Sequence, residues 1–175
     1  MSAPPLPVID LRNSDAPQRF VASLRDTGFA ALVGTPIRAT AMRGLADEWL
    51  AFFRSPAKAA YRWDPVRQDG WFPPEQSETA QGHTHKDLKE FFHLYPWGRW
   101  PVEVSDAARR HAETATALAA TLLGWVEAHS PAEVRAGYSE PLPRMIEGSQ
   151  QTLLRVLHYP PLAGDEPTGA VRAAA

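Results

Sequence analysis

Apolar positions change period several times along the chain, and each change marks an element. Pro7-Val8-Ile9-Asp10-Leu11 is a short apolar run that predicts a first strand. Ser14-Asp15 offers a helix cap, and Pro17 falls in the first turn, where its missing N–H is harmless. Phe20, Val21 and Leu24 then share one helical face, and Gly28 is placed to end the helix. Phe29 to Val33 predicts a second strand, closed by Gly34-Thr35-Pro36. Met42, Leu45, Trp49, Leu50 and Phe53 recur at spacings of three and four, which predicts a helix from about Ile37 to Arg54. Ser55-Pro56 restarts a short helix, with Ser as cap.

The period is lost between Trp63 and His85. Asp64-Pro65, Asp69-Gly70 and Pro73-Pro74 are breaker pairs, so this stretch reads as a long loop with its own aromatics. Leu88 to Leu94 predicts a strand. Alternation puts Asp87, Lys89 and Phe91 on one face and Leu88, Glu90 and Phe92 on the other. Two readings stay open: a strand lining a pocket, and an edge strand protected by its charges.

Ser105 caps the longest helix, running to about His129 with His111, Ala115, Leu118, Leu122 and Val126 as its buried stripe. Pro131 opens a short helix to about Tyr138, and Pro141 to Gly148 is a turn or a single helical turn. Gln151 to His158 predicts the last strand, halted by Pro160-Pro161, and Gly164 to Ala175 is loop-like. The order is therefore β-α-β-α, loop, β, long α, β, with too few strands to close a barrel or sandwich.

The 175 residues fit one domain, or one domain with an incomplete second. Eighteen basic against twenty acidic side chains leave a net charge of −2, which argues against a nucleic-acid binder. With no cysteine, thiol nucleophiles, disulfides and iron–sulfur ligation are excluded, and any metal must be held by His, Asp, Glu or carbonyl oxygen. The first ten residues lack a basic start and an apolar run, and no window matches a membrane helix. A soluble cytoplasmic protein is the expectation.

Several residue sets carry possible chemistry. His83-Thr84-His85 followed by Glu90 has the spacing of a first cupin metal motif, in which two imidazoles and a carboxylate hold iron or manganese. The bland alternative is two solvated loop histidines and a paired glutamate. Trp63, Trp71, Phe72, Trp97 and Trp100 interleave with Arg62, Arg67 and Arg99. At this net charge, core packing or a small-molecule pocket wall outweighs base stacking. Ser130, Ser139 and Ser149 lack a nucleophile-elbow context, and neither a Walker nor a dinucleotide glycine pattern occurs. Arg155 and Tyr159, four residues apart on the last strand, would together receive a carboxylate; a long amphipathic face is the equal alternative.

Motifs along most of the chain resemble the isopenicillin N synthase-like branch of the 2-oxoglutarate/iron(II)-dependent oxygenases. Pro7-Val-Ile-Asp-Leu11 resembles the opening strand of that family, and Phe20 to Val33, with Leu24-Arg-Asp-Thr-Gly-Phe29, its first helix and next strand. Gly70-Trp71-Phe72 resembles a glycine-aromatic turn, Asp87-Leu-Lys-Glu-Phe-Phe92 a D-x-K-E-x-F segment, and Leu153-Leu-Arg-Val-Leu-His-Tyr-Pro-Pro161 the strand entering the catalytic core.

The resemblance implies an α+β fold: a helix-rich N-terminal region over residues 1–150, then at 151–175 the first strand of an incomplete double-stranded β-helix (jelly roll). It implies Fe(II) and 2-oxoglutarate as cofactors of the full-length enzyme and a small-molecule substrate that is hydroxylated, desaturated or cyclised. The His-x-Asp and later His that hold iron in the family, and its Arg-x-Ser for 2-oxoglutarate, do not occur after Tyr159, and the chain ends at about the position where the first ligand is expected. By itself it is then expected to hold no metal and to be inactive. Tyr159 matches a co-substrate contact, although the Asn two residues earlier in relatives is Leu157 here. Gln68 and Phe72 match substrate contacts. The alternative is a non-catalytic binding module, completed by a partner chain or by self-association at its unpaired strand edges.

Overall fold

The computed structural model describes residues 6–79 and 85–166, and its helices and strands part into two compact units. One comprises Met1–Met42 with Ala108–Ser149; the other comprises Arg43–Ala107 with Gln150–Ala175.

In the first unit, β1 (Val8–Asp10) and β2 (Ala31–Val33) form a two-stranded parallel sheet, with Ile9 opposite Leu32. The α1 helix (Ala16–Thr27) is the crossover between them. Gly28 ends it as the sequence predicts: its φ of 76° is left-handed, and its N–H closes on the Leu24 carbonyl at 2.8 Å. Ile9, Ala16 and Phe20 are the buried centre, with Val21, Leu24, Leu32 and the Leu122–Trp125–Val126 stretch packed on them. Phe20 meets Trp125 edge-on, with ring centroids 5.9 Å apart.

Leu122, Trp125 and Val126 belong to α3 (Ala107–His129). Its expected stripe is only half-buried; Ala108 alone on this helix is fully enclosed. A short α4 (Ala132–Arg135) and one 3₁₀ turn (Leu142–Met145) follow as predicted.

The second unit holds most of the enclosed aromatic residues. The helix α2 (Ala39–Arg54) contributes Leu45, Trp49, Phe52 and Phe53. Met42, expected in that stripe, is exposed, and Phe52, not expected, is buried. A 3₁₀ segment (Pro56–Tyr61) follows, capped by the Ser55 hydroxyl, which accepts from the Ala57 N–H at 3.1 Å.

Three strands then form one antiparallel sheet, in the order β3 (Gly70–Phe72), β4 (Glu90–Leu94), β5 (Leu154–His158). Trp71 lies opposite Phe92, Arg155 opposite His93, and His158 opposite Glu90. One expectation is corrected here, and one of two open readings falls. The stretch from Trp63 to His85 is not all loop: it contains β3, three residues long, held by β4 on one side and on the other by the Trp63 N–H, which donates to the Trp71 carbonyl at 2.8 Å. The strand over 88–94 is central rather than an edge, and all five residues of β4 are buried. Its charges therefore do not serve to protect an edge.

Pleating divides the side chains of β4 between two faces. Phe92 meets Trp49 at 5.3 Å and Phe52 at 5.8 Å, both edge-to-face, so one face packs on α2. Each such pair contributes roughly 0.5–1.5 kcal/mol beyond area burial. On the other face, Trp63, Phe72 and Phe91 form a ladder of near-parallel rings at 5.4 and 4.6 Å. Among the described residues no helix is long and apolar enough to cross a membrane.

Candidate functional site

Strand β4 carries a polar cluster on each face. The first centres on Glu90, which is 5% exposed. Its Oε2 accepts from Lys58 Nζ at 2.8 Å and from Trp71 Nε1 at 2.7 Å, while Oε1 lies 2.8 Å from His158 Nδ1. Lys58 also lies over the Trp71 ring, and His158 stacks on Phe53 at 5.4 Å. The carboxylate is thus fully occupied by the cross-strand histidine, a neighbouring tryptophan and the 3₁₀ segment, which is what a buried charge requires.

The second cluster centres on His93, also buried. Arg155 Nε donates to His93 Nε2 at 2.8 Å. An accepting Nε2 leaves the ring proton on Nδ1, which donates to the Gln68 carbonyl at 3.1 Å. His93 is therefore a neutral imidazole. Burial lowers its pKa below the usual histidine value, and the facing Arg155 charge adds to that, against the opposing pull of the Gln68 carbonyl and Glu78. The ring lies tilted beside the Phe72–Phe91 stack, 4.4 Å from Phe72 and 5.0 Å from Phe91.

Arg155 is fixed at three points. Besides His93, its guanidinium lies over the Phe91 ring at 4.7 Å and reaches Glu78 Oε1 at 3.2 Å. Glu78 Oε2 receives Lys89 Nζ at 2.8 Å, and Lys89 also binds buried Asp87 at 2.9 Å.

A third ion cluster holds the turn into β3. Asp69 is wholly buried and accepts the Arg99 backbone N–H at 2.8 Å, the Arg99 guanidinium at 3.0 Å and Arg67 at 3.2 Å. Burial alone would raise its carboxyl pKa; the Arg99 hydrogen bonds and charge outweigh this and hold it below the usual range. Next to it, Gly70 has a φ of 93°, and a Cβ there would run into the Tyr61 carbonyl and the Arg99 guanidinium. Only glycine fits.

Three of the four residues singled out from sequence meet at His93. Gln68 touches it through its backbone carbonyl; its side-chain amide donates instead to the Pro65 carbonyl at 2.7 Å, and its φ is 60°. Phe72 touches it as a buried ring, and Arg155 as a donor. Tyr159 lies one residue beyond the end of β5 and is half-buried. Sequence reasoning did not single out His93; its place on the Lys89–Phe91 face of the alternation was the available signal, whereas its partner Arg155 follows only from the register of β5 on β4.

The donor set bears on iron. Among the described residues, no three of His, Asp and Glu gather into a metal site. Of the cupin-like set, His83 lies outside the described residues, and both oxygens of Glu90 are engaged. The described side chains do not fit an iron centre. A carboxylate is different: Arg155 and Lys89 together already hold one, that of Glu78.

Comparison with known proteins gives the frame for these sites. Residues 6–115 match the family described as non-haem dioxygenase in morphine synthesis N-terminal. A Shewanella oneidensis protein assigned as an oxygenase is 45% identical and superposes with a TM-score of 0.85, over 97% of this chain and 60% of that one. A full-length Neurospora crassa protein, solved in complex with alpha-KG, has 19% identity and a TM-score of 0.69, again over 97% and 60%. A 2OG-Fe(II) oxygenase family protein of Caulobacter crescentus has 23% identity and a TM-score of 0.64, over 92% and 58%. The last two speak to fold alone. The chain spans about three-fifths of the length of these structures. No curated protein matches the sequence. With its match to the family extending over more than half its residues, the chain belongs to the non-haem 2-oxoglutarate/iron(II) oxygenases and corresponds to their N-terminal portion.

Proposed function

We propose that these residues serve as the N-terminal portion of a 2-oxoglutarate-dependent oxygenase that oxidises a small molecule, its iron ligands coming from outside the described residues. The observation that carries this is the 45% identity to the Shewanella oxygenase, sustained over 97% of the chain at a TM-score of 0.85. Iron with 2-oxoglutarate supplies the dioxygen chemistry when bound. This reading gives no catalytic step to a described side chain.

The chain then contributes a scaffold and one wall of a pocket. In this reading residues 1–150 are the helix-rich region, and 151–175 lead into the catalytic β-helix. Tyr159 and Arg155 are the co-substrate contacts, and Gln68 and Phe72 the substrate contacts. What supports the grouping is that Gln68, Phe72 and Arg155 converge on one buried imidazole, so a pocket wall built on them is held rigid. A small substrate is in keeping with the Neurospora crassa protein, which has also been solved with thymine.

The test is iron content and co-substrate turnover of the 175-residue chain. After anaerobic equilibration with Fe(II) and removal of free metal, the account expects far less than one iron per chain and no succinate from 2-oxoglutarate. Stoichiometric iron with steady succinate release would overturn it.

A further inference from the structure

Lys89 is a nearly enclosed ammonium, its side chain 10% exposed, and two carboxylates neutralise it. They differ in exposure. Asp87 is 1% exposed and belongs to the fold. Glu78 is half-exposed, and its carboxylate bridges outward, one oxygen on Lys89 at 2.8 Å and the other on Arg155 at 3.2 Å. The two cations therefore stand within the span of a single carboxylate. Neither depends on Glu78 for its position. Lys89 remains tied to Asp87, and Arg155 remains fixed by His93 Nε2 at 2.8 Å and by the Phe91 ring at 4.7 Å. Displacing Glu78 would leave a preorganised pair of cations facing the solvent side.

We propose that Arg155 and Lys89 form a binding site for the carboxylate of a small organic acid, with Glu78 as a built-in occupant that the ligand displaces. The site sits on the His93 face of the β3–β4–β5 sheet, and Leu157, 42% exposed and two residues along β5 from Arg155, offers apolar surface beside it. The incoming carboxylate takes over both charge-assisted contacts, so the cost of exposing two cations is avoided. The inference rests on the reading of Arg155 as a carboxylate contact; its failure would remove that contact but leave the family match and the iron and succinate-release test standing.

The test titrates the 175-residue chain with succinate at constant ionic strength and no added iron, with succinamide as the uncharged control. Glu78→Gln removes the occupant and should bind succinate about tenfold more tightly than the unaltered chain, the scale of one hydrogen bond to a charged group. Adding Lys89→Met to Glu78→Gln should reverse that gain. Glu78→Asp, which keeps the charge but shortens the reach, serves the same comparison if Glu78→Gln does not fold. A purely structural Glu78 predicts lower thermal stability with no gain in affinity. That result, or equal binding of succinamide, overturns the proposal. Repeating the titration with 2-oxoglutarate and with hexanoate separates a co-substrate from a substrate source, and tighter binding of either in Glu78→Gln supports the site.

Discussion

Arg155 and His93 lie directly opposite each other on neighbouring strands, and the arginine Nε donates to the imidazole Nε2 at 2.8 Å. That one bond fixes the tautomer of the ring and the direction of the guanidinium. It also gives a testable pH dependence. Because the folded pKa of His93 is lowered, the unfolded chain takes up the proton first as pH falls below the ordinary histidine value near 6.5. Its contribution to stability is full above that value and declines as pH falls through the window beneath it. His93→Phe should flatten this part of the stability–pH curve. At neutral pH it should also cost about 1–3 kcal/mol, since Arg155 and the Gln68 carbonyl both lose a partner. Urea unfolding of both proteins between pH 5 and 8 checks this, and parallel curves would contradict the assignment.

Asp69 gives the same sign in a more acidic window. Its folded pKa is lowered, so its contribution is present above the ordinary aspartate value and is lost as pH falls through the folded value. Asp69→Asn leaves Arg99 facing a neutral amide and should cost about 3 kcal/mol at pH 7, as expected when a buried ion pair loses one member. The difference between the two proteins should shrink in acid. A constant difference down to pH 3 would mean that the charge of Asp69 is not what matters.

Gly70→Ala tests the turn beside it. The left-handed backbone and the blocked Cβ position predict a loss of more than about 1 kcal/mol, the usual scale where the native φ is incompatible with a side chain. Gly28→Ala is the control: its φ is also positive, but nothing lies within 4 Å of the added carbon, so its cost should be smaller. Equal losses in thermal unfolding would contradict the steric part of the account.

On the other face of β4, Glu90→Ala should be worse than Lys58→Ala. Removing Glu90 strips Lys58, Trp71 Nε1 and His158 of a common acceptor, whereas Lys58, with 23% of its side chain exposed, leaves Glu90 two other partners. Loss of the buried member should cost about 3–5 kcal/mol. Denaturation midpoints in the reverse order would show that the cluster is organised around the lysine.

Local signals made much of this architecture legible. Gly28 and Ser55 cap as their identities demand, and most of the predicted elements stand close to where the apolar period puts them. What was hidden depends on distant pairing. Gly70-Trp71-Phe72 is too short to show alternation, and it becomes a strand through hydrogen bonds to β4 some twenty residues on. The polar clusters are hidden for the same reason: His93 meets Gln68 across 25 positions and Arg155 across 62, and Glu90 meets His158 across 68. Arg155 was legible as a candidate because of its strand. That its guanidinium is already committed to His93, Phe91 and Glu78 follows only from the register of β5 on β4.

The most direct test of the central claim, that these residues are the N-terminal portion of a larger oxygenase, is the intact mass of the protein purified from its own cells. The account predicts a mass well above 19.3 kDa, with a His-x-Asp pair in the additional sequence. A native mass of 19.3 kDa would contradict it.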